Sequence, residues 1–348
     1  MTAQTVTGPV PVSQLGRTLT HEHFNIDFHQ FYSSPPAQLS GFFEGGITLE
    51  NVGYVKQWPY SSKYNLDFSG KEVENAVVEE MKLYHKFGGG TVVENSNIGL
   101  NRNTSLLVRA SKESGVNVIA GTGYYVEVCQ PAGNLKLSVE AMSEVMLQEL
   151  TEGCVEDTTV KCGFIGEVGS SWPITEFEKR AIVATAEVQQ MQNCAVSFHP
   201  GRDSRAPFEI MRIYLEAGGD KNRAIMSHLD RTLTEDKDLL EFAKLGCFCQ
   251  FDLFGTECSF YQLNPSLDML SDAQRVDKIV RLITEGRTAQ ILMSHDIHTK
   301  HRLVHFGGHG FSHILNNITP KMLIKKISQK TIDDIFIKNP AAWLCGPS

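Results

Sequence analysis

Short apolar runs rich in β-branched residues recur along the chain, and each is followed by a longer stretch with helical period. The apolar runs cover residues 16–23, 90–97, 117–125, 162–169, 194–201, 223–231, 247–255 and 289–297. Several, such as 194–199 and 223–228, are apolar almost throughout with little strict alternation. Strands buried on both faces of a parallel sheet have this pattern. The helical stretches cover 72–87, 104–114, 138–151, 175–192, 207–217, 234–244 and 272–285, and several are followed by glycine, which ends a helix without steric cost. Two more short helices are expected in the tail, 319–344. Eight strands alternating with eight helices predict an α/β fold, a (β/α)8 TIM barrel forming a single domain over 1–348. An open doubly wound sheet is the alternative; it is disfavoured because no glycine-rich phosphate turn follows the first strand. Residues 25–67, rich in Gly, Pro and aromatics, read as an insertion after strand one on the active-site side.

Bulk properties narrow the function classes. The chain of 348 residues is 41% hydrophobic and 21% charged, an ordinary globular balance. A formal charge of −8 argues against nucleic acid or a membrane surface as partner, but leaves room for a local anion site. Residues 1–15 lack the basic and apolar segments of a secretory leader, and no run is long enough to span a bilayer. The eight cysteines are scattered and contain no CxxC pair, so free thiols in a reducing compartment, the cytosol, are expected.

The chemistry emerges when polar residues are placed on the strand map. Strand one ends in His21-Glu22-His23, strand four in Glu167, strand five in His199, strand six in His228, and strand eight in Asp296. Barrel enzymes build their sites at the C-terminal ends of the strands, so these groups are expected to converge. Residues i and i+2 of a strand share a face, which puts His21 and His23 on one side and turns Glu22 away. Any one of these residues alone could be a satisfied polar group at a strand end. The joint pattern points instead to two divalent metal ions held by His21, His23, Glu167, His199, His228 and Asp296, with one carboxylate bridging. Zinc is the expected ion.

Other residues have weaker claims. Tyr125, at the end of strand three, either lines the pocket or packs on the rim. Arg231 either binds an anion or pairs with Asp230. Arg102, Lys300 and Arg302 are loop candidates. His295 is expected to face away from the site and His298 to lie in a loop, while His29, His85, His301, His305, His309 and His313 are expected to be surface or structural.

The motifs at 16–23 and 155–158, His199, His228, Asp296 and Asn339-Pro340-Ala341 together resemble the phosphotriesterase family of the amidohydrolase superfamily, over nearly the whole chain. The resemblance implies that His21, His23 and Asp296 hold the more buried metal, and His199 and His228 the more exposed one. Family members that bridge the metals with a strand-four lysine differ from this chain, where Glu167 falls about one residue later. The family's proton-relay histidine appears as Leu253, its acidic partner as Arg231, and its leaving-group Trp as Tyr125. Organophosphate hydrolysis is accordingly disfavoured. The resemblance implies a hydrolase of the amide of N-acetyltaurine, with a small anionic N-acyl molecule as substrate; because an amine leaves poorly unless protonated, Asp296, bound to metal and near the hydroxide, is the expected catalytic proton carrier. Tyr125 and Arg231 are the substrate-contact candidates, and a homodimer is the family expectation. A lactonase, esterase or weak phosphotriesterase on the same metals is the alternative, and a non-catalytic metal-binding barrel is a further one.

Overall fold

The computed structural model describes residues 1–346. Eight strands form its sheet: β1 (Arg17–Glu22), β2 (Gly89–Glu94), β3 (Asn117–Thr122), β4 (Phe164–Gly169), β5 (Ala195–His199), β6 (Ala224–Met226), β7 (Phe248–Phe251) and β8 (Ile291–Met293). They neighbour one another in chain order, and the ladders between them are parallel. Residues of β4, β5 and β8 are buried throughout, as expected for strands covered on both faces. This is the (β/α)8 barrel predicted by the alternation of apolar runs and helices.

Among the described residues no ladder joins β8 to β1, and backbone and side-chain hydrogen bonds together close that seam. The Asp296 N–H donates to the His21 carbonyl at 3.1 Å, and the His21 N–H donates to Ser294 Oγ at 3.0 Å. Glu22, turned away from the barrel axis, accepts from Ser294 Oγ, the His295 and Ile297 N–H groups, and His295 Nδ1 at 2.7–3.1 Å. One buried carboxylate thus stitches the first strand to the loop after the last.

The barrel interior is divided by height. At the N-terminal end, Val93, Ile119, Phe164, Ala195, Ile225, Phe248 and Leu292 form an apolar layer with Ala3, Leu15, Trp343 and Leu344. Trp343 seals this end: its indole N–H donates to the Val196 and Arg223 carbonyls, each at 3.1 Å. The polar residues follow nearer the C-terminal ends of the strands. The packed lower layer therefore forms a rigid floor for the site above it.

The outer helices begin and end where local chemistry dictates. Helix Glu176–Gln192 opens with a capping box between Thr175 and Glu178, and Asp272–Thr284 opens with one between Ser271 and Gln274. Helix Thr104–Ser114 stops at Gly115, whose φ of +77° suits the left-handed cap. The tail departs from expectation. It holds three α-helices, Thr319–Ile324, Gln329–Asp333 and Asn339–Cys345, and two π-helical stretches, Ile314–Ile318 and Asp334–Lys338. Each π stretch runs into a helix with proline in its first turn, and Pro320 and Pro340 lack the N–H that a regular α-helix would send back.

Segment 25–67 packs over the C-terminal end of β1. It pairs Ile26–Asp27 with Asp67–Phe68 and contributes Ile26, Phe28, Pro59 and Tyr60 to the pocket wall. Among the described residues no helix is long and apolar enough to cross a membrane.

Candidate metal centre

The structure brings the six predicted ligand residues together at the upper end of the barrel. Three overlapping groups could hold a metal ion: His21, His23 and Asp296; Glu167, His199 and His228; and His21, His228 and Asp252. All seven residues are buried.

Strand alternation explains part of this convergence. Ala195, Ser197 and His199 follow one another at period two from the apolar layer, so His199 faces inward. Phe248, Gln250 and Asp252 do the same on β7. Glu167 does not follow the rule. Phe164 lies in the apolar layer, and simple alternation would turn Glu167 outward. The ladder between β4 and β5 shifts register between Ile165 and Val168, and that irregularity re-aims Glu167. His228 follows inward-facing Ser227 and is likewise re-aimed, by a left-handed backbone with φ of +56°. Asp296 adopts φ of +53° at the corresponding place after β8. Non-glycine residues held in this region are strained, and such strain concentrates at functional sites.

The hydrogen bonds fix which nitrogen each imidazole presents. Asp252 accepts from His228 Nδ1 at 2.7 Å and lies 3.1 Å from His21 Nδ1. Their Nε2 atoms are left to face Glu167, at 3.0 Å from His228 and 3.4 Å from His21. Ser96 Oγ lies 3.0 Å from His23 Nδ1, and His23 Nε2 is 3.2 Å from Asp296 Oδ1. His199 is turned the other way, with Nδ1 2.7 Å from Glu167 Oε1 and 2.8 Å from His228 Nε2.

These contacts test the fit of a metal. His21 Nε2 is buried without a hydrogen-bond partner. His228 Nδ1 is committed to Asp252, so its Nε2 lone pair faces His199 Nδ1, whose own hydrogen is engaged by Glu167. Converging lone pairs beside two carboxylates form a donor set for a divalent cation. Electrostatics agree. Burial pushes the His21 imidazolium down, but Glu167, Asp252 and Asp296 outweigh it and hold His21 up to about 10. Burial, together with His228 and Arg231, overcomes Glu167 and holds His199 down to about 3. The carboxylates thus call for positive charge between them, while His199 offers a neutral nitrogen.

Five of the six predicted ligand residues, all but the fully buried His21, line a recess with about 530 Å³ of space free of protein atoms, adjoining solvent included. Tyr125 stands on its wall, its ring edge-on to His199 at 4.9 Å between centroids. Arg231 also lines it. Asp230 is not its partner, because that carboxylate is taken by Arg275 at 2.9 Å and by the Leu253 N–H. Leu253, at the family's relay position, presents only an apolar side chain to the recess. Arg302 lines it too and donates to the Asp296 carbonyl at 2.6 Å.

Two other loop candidates lie elsewhere. Arg102 is buried between Glu149 and Glu156, at 2.6 and 2.7 Å, because two carboxylates can neutralise it there. The Lys300 ammonium lies over the Tyr64 ring at 3.8 Å. Glu156 and Asp157 of the 155–158 motif hold Arg102 and a turn at Thr159, respectively. His295 faces outward to Glu22. His301 is buried against Asn65.

Sequence reasoning missed three contributors. Asp252 was detectable as an acid at period two from Phe248. His298, expected only as loop, is buried in the recess wall with Nδ1 2.8 Å from the Asp296 carbonyl and 3.2 Å from Asp296 Oδ2. Arg202 also lines the recess, and no strand pattern marks it.

Comparison with known proteins places this geometry in context. Residues 1–344 match the Phosphotriesterase family. The chain is 54% identical over 347 residues to the phosphotriesterase-related protein of Aedes aegypti, covering 98% of each. Among solved structures it resembles a resiniferatoxin-binding protein from Rhodobacter sphaeroides, with a TM-score of 0.93 at 26% identity, covering 99% of this chain and 94% of that one. It also resembles the phosphotriesterase homology protein of Escherichia coli, solved with phosphate in its active site. That TM-score is 0.76 at 25% identity, covering 95% of this chain and 99% of that one.

Proposed function

The chain belongs to the phosphotriesterase family, and from that premise we propose that it is a metal-dependent hydrolase that cleaves the amide bond of N-acetyltaurine to taurine and acetate. The observation that carries this reading is the convergence of four imidazoles and two carboxylates, all but His21 lining a recess with cationic walls. His21, His23 and Asp296 would hold one divalent ion and His199 and His228 a second, with Glu167 between them; zinc suits such a donor set. Bound there, the ions supply Lewis acidity toward an acyl oxygen and lower the pKa of water from about 15.7 to about 7.

The chain's own residues then have defined tasks. Asp252 and Ser96 hold His21, His228 and His23 by their Nδ1 atoms, so the imidazoles need no reorganisation when substrate enters. Asp296 turns Oδ1 toward His23 and leaves Oδ2 beside His298. Oδ2 takes the proton from the attacking water as the C–O bond forms, and returns it to the amide nitrogen as the C–N bond breaks. Without that proton the amine would be a poor leaving group. Burial, with Arg302 adding, holds His298 down to about 4, so it stays neutral and steadies the carboxylate without competing for the proton. Tyr125, packed against His199, closes the acyl side around a small acetyl group, and Phe28 and Tyr60 from segment 25–67 exclude water above it. Phosphate in the active site of the Escherichia coli neighbour supports an architecture that accepts oxyanions.

The test is hydrolysis of N-acetyltaurine by purified, metal-reconstituted protein, with Glu167→Ala and His199→Ala alongside. The native chain is expected to turn the amide over. Each variant is expected to lose bound metal and at least about a hundredfold in kcat/KM. Two tightly bound metals without amide turnover would overturn the substrate, and a lactone panel would then show whether ester cleavage replaces it.

A further inference from the structure

Two guanidinium groups on the recess wall have no carboxylate to neutralise them. Arg231 is 3% exposed. It donates to the Pro200 carbonyl at 3.1 Å and to Thr232 Oγ1 at 3.2 Å, and its Nη2 faces His199 Nε2 at 3.4 Å. That last contact does not neutralise it. His199 Nδ1 donates to the Glu167 carboxylate, so Nε2 can accept from Arg231, but a neutral imidazole leaves the guanidinium's charge uncompensated. The adjacent acid, Asp230, is committed to Arg275.

Arg202 approaches from the loop after β5. Its Nε donates to the Tyr261 hydroxyl at 2.8 Å, and its guanidinium lies 5.9 Å from the Phe31 ring centroid and 5.8 Å from that of Tyr261. Aromatic faces ease the burial of a cation but do not neutralise it. Both guanidiniums line the same recess. The acids lining the recess, Glu167 and Asp296, are engaged with the histidines of its floor. Arg231 is buried and Arg202 half-buried, and cations withdrawn from water without a counter-charge are costly unless an anion is bound with them. Arg302 is a different case, because its Nη1 braces the Asp296 carbonyl.

We propose that Arg202 and Arg231 form an anion clamp that selects substrates bearing a sulfonate or carboxylate on the amine side of the scissile bond. Placing the anion on the amine side rests on the amide-hydrolase reading above; the clamp itself rests on the two unneutralised guanidiniums. Their planar forks suit a tetrahedral or planar oxyanion, and Tyr261 fixes the orientation of Arg202.

The test uses metal-loaded full-length protein and the single variants Arg202→Gln and Arg231→Gln, each checked by thermal melting. N-acetyltaurine and N-acetyl-β-alanine are compared with the uncharged N-(2-methylsulfonylethyl)acetamide. Each variant is expected to lose at least about tenfold in kcat/KM on both anions, mainly through KM, and to change on the neutral amide by no more than about twofold. Binding of butanesulfonate, measured by calorimetry, is expected to weaken by a similar factor in each variant and with added salt in the native protein. Equal losses on charged and neutral substrates, or butanesulfonate binding that neither variant nor salt alters, would overturn the clamp. Arginine-dependent butanesulfonate binding in a protein that cleaves none of the three amides would uphold the clamp and sink the amide reading. If a variant fails to fold, the native protein's preference for butanesulfonate over dimethyl sulfone and its salt dependence decide the question.

Discussion

At the scale of single residues, the site depends on groups that touch no substrate. Asp252 is the clearest case. Its carboxylate accepts from the His228 backbone N–H at 3.0 Å, from His228 Nδ1, and from Gln250 Nε2 at 2.9 Å, and also lies beside His21 Nδ1. It therefore sets the tautomer of one imidazole and the orientation of both. His228 and His21 together hold Asp252 down, against the upward push of burial, so its charge persists in the folded protein. Asp252→Asn keeps the volume but loses the charge and one acceptor oxygen. Metal affinity, read by competition with a chromogenic chelator, is expected to fall about 10- to 100-fold. An unchanged affinity would mean that Asp252 only fills space. A carboxylate at period two from Phe248 is as visible in the sequence as His199 is at period two from Ala195. It stood out less because aspartate beside apolar residues is common, whereas a histidine at a strand end prompts a search for ligands.

At the scale of elements, what the sequence concealed lies where regular geometry breaks. The eight strands and most helices were legible because parallel strands buried on both faces are apolar throughout, and glycine or a cap punctuates the helices. Inward placement of His199 and Asp252 follows from alternation alone. That of Glu167 and His228 does not, because a register shift and a left-handed residue are tertiary outcomes. The segment after β8 shows how such breaks are held. Glu80, on helix Gly70–Lys86, accepts the Val304 N–H at 2.7 Å and the Phe311 N–H at 3.2 Å, tying that segment to the barrel wall. Gly310 makes room for it: its φ is +70°, and a Cβ there would meet Glu80 Oε2 at 2.5 Å. Burial pushes the Glu80 carboxyl up from 4.5 to about 7, although backbone donors oppose this. Between those two values the folded chain binds the extra proton and the unfolded chain does not. This group therefore lowers stability as pH rises from about 4.5 to about 7, and its penalty is complete above 7. The stability difference between the native chain and Glu80→Gln, from urea unfolding at pH 5, 6 and 7.5, is expected to shift toward the variant by about 2 kcal/mol across that range. A difference that stays flat with pH would show that Glu80 is ionised throughout.

At the scale of the whole molecule, the net charge of −8 and the cationic recess describe different things. A charge averaged over the chain does not reveal two arginines, Arg231 buried and Arg202 half-buried, on the wall of one recess. Nor does the sequence bring the ligand residues near one another. His21 and Asp296 lie at opposite ends of the chain and meet only because the barrel closes, with the Asp296 N–H bonded to the His21 carbonyl. This long-range assembly has a thermodynamic consequence. An unfolded chain offers scattered histidines and carboxylates, and the folded one offers them converged, so a divalent ion must bind the folded state far more tightly. Its binding then adds to folding stability by mass action, about 2.7 kcal/mol when free ion stands at 100 times its Kd. Calorimetric melting of the protein stripped with a chelator, and again after titration with zinc, is expected to show Tm rising by several degrees and continuing upward with free zinc. Glu167→Ala and His199→Ala are expected to flatten that dependence, whereas Arg202→Gln, which leaves the ligand set intact, is expected to keep it. A Tm indifferent to zinc in the native chain would mean that the converged nitrogens and carboxylates are satisfied by one another, and the barrel would then stand as a fold without its metal.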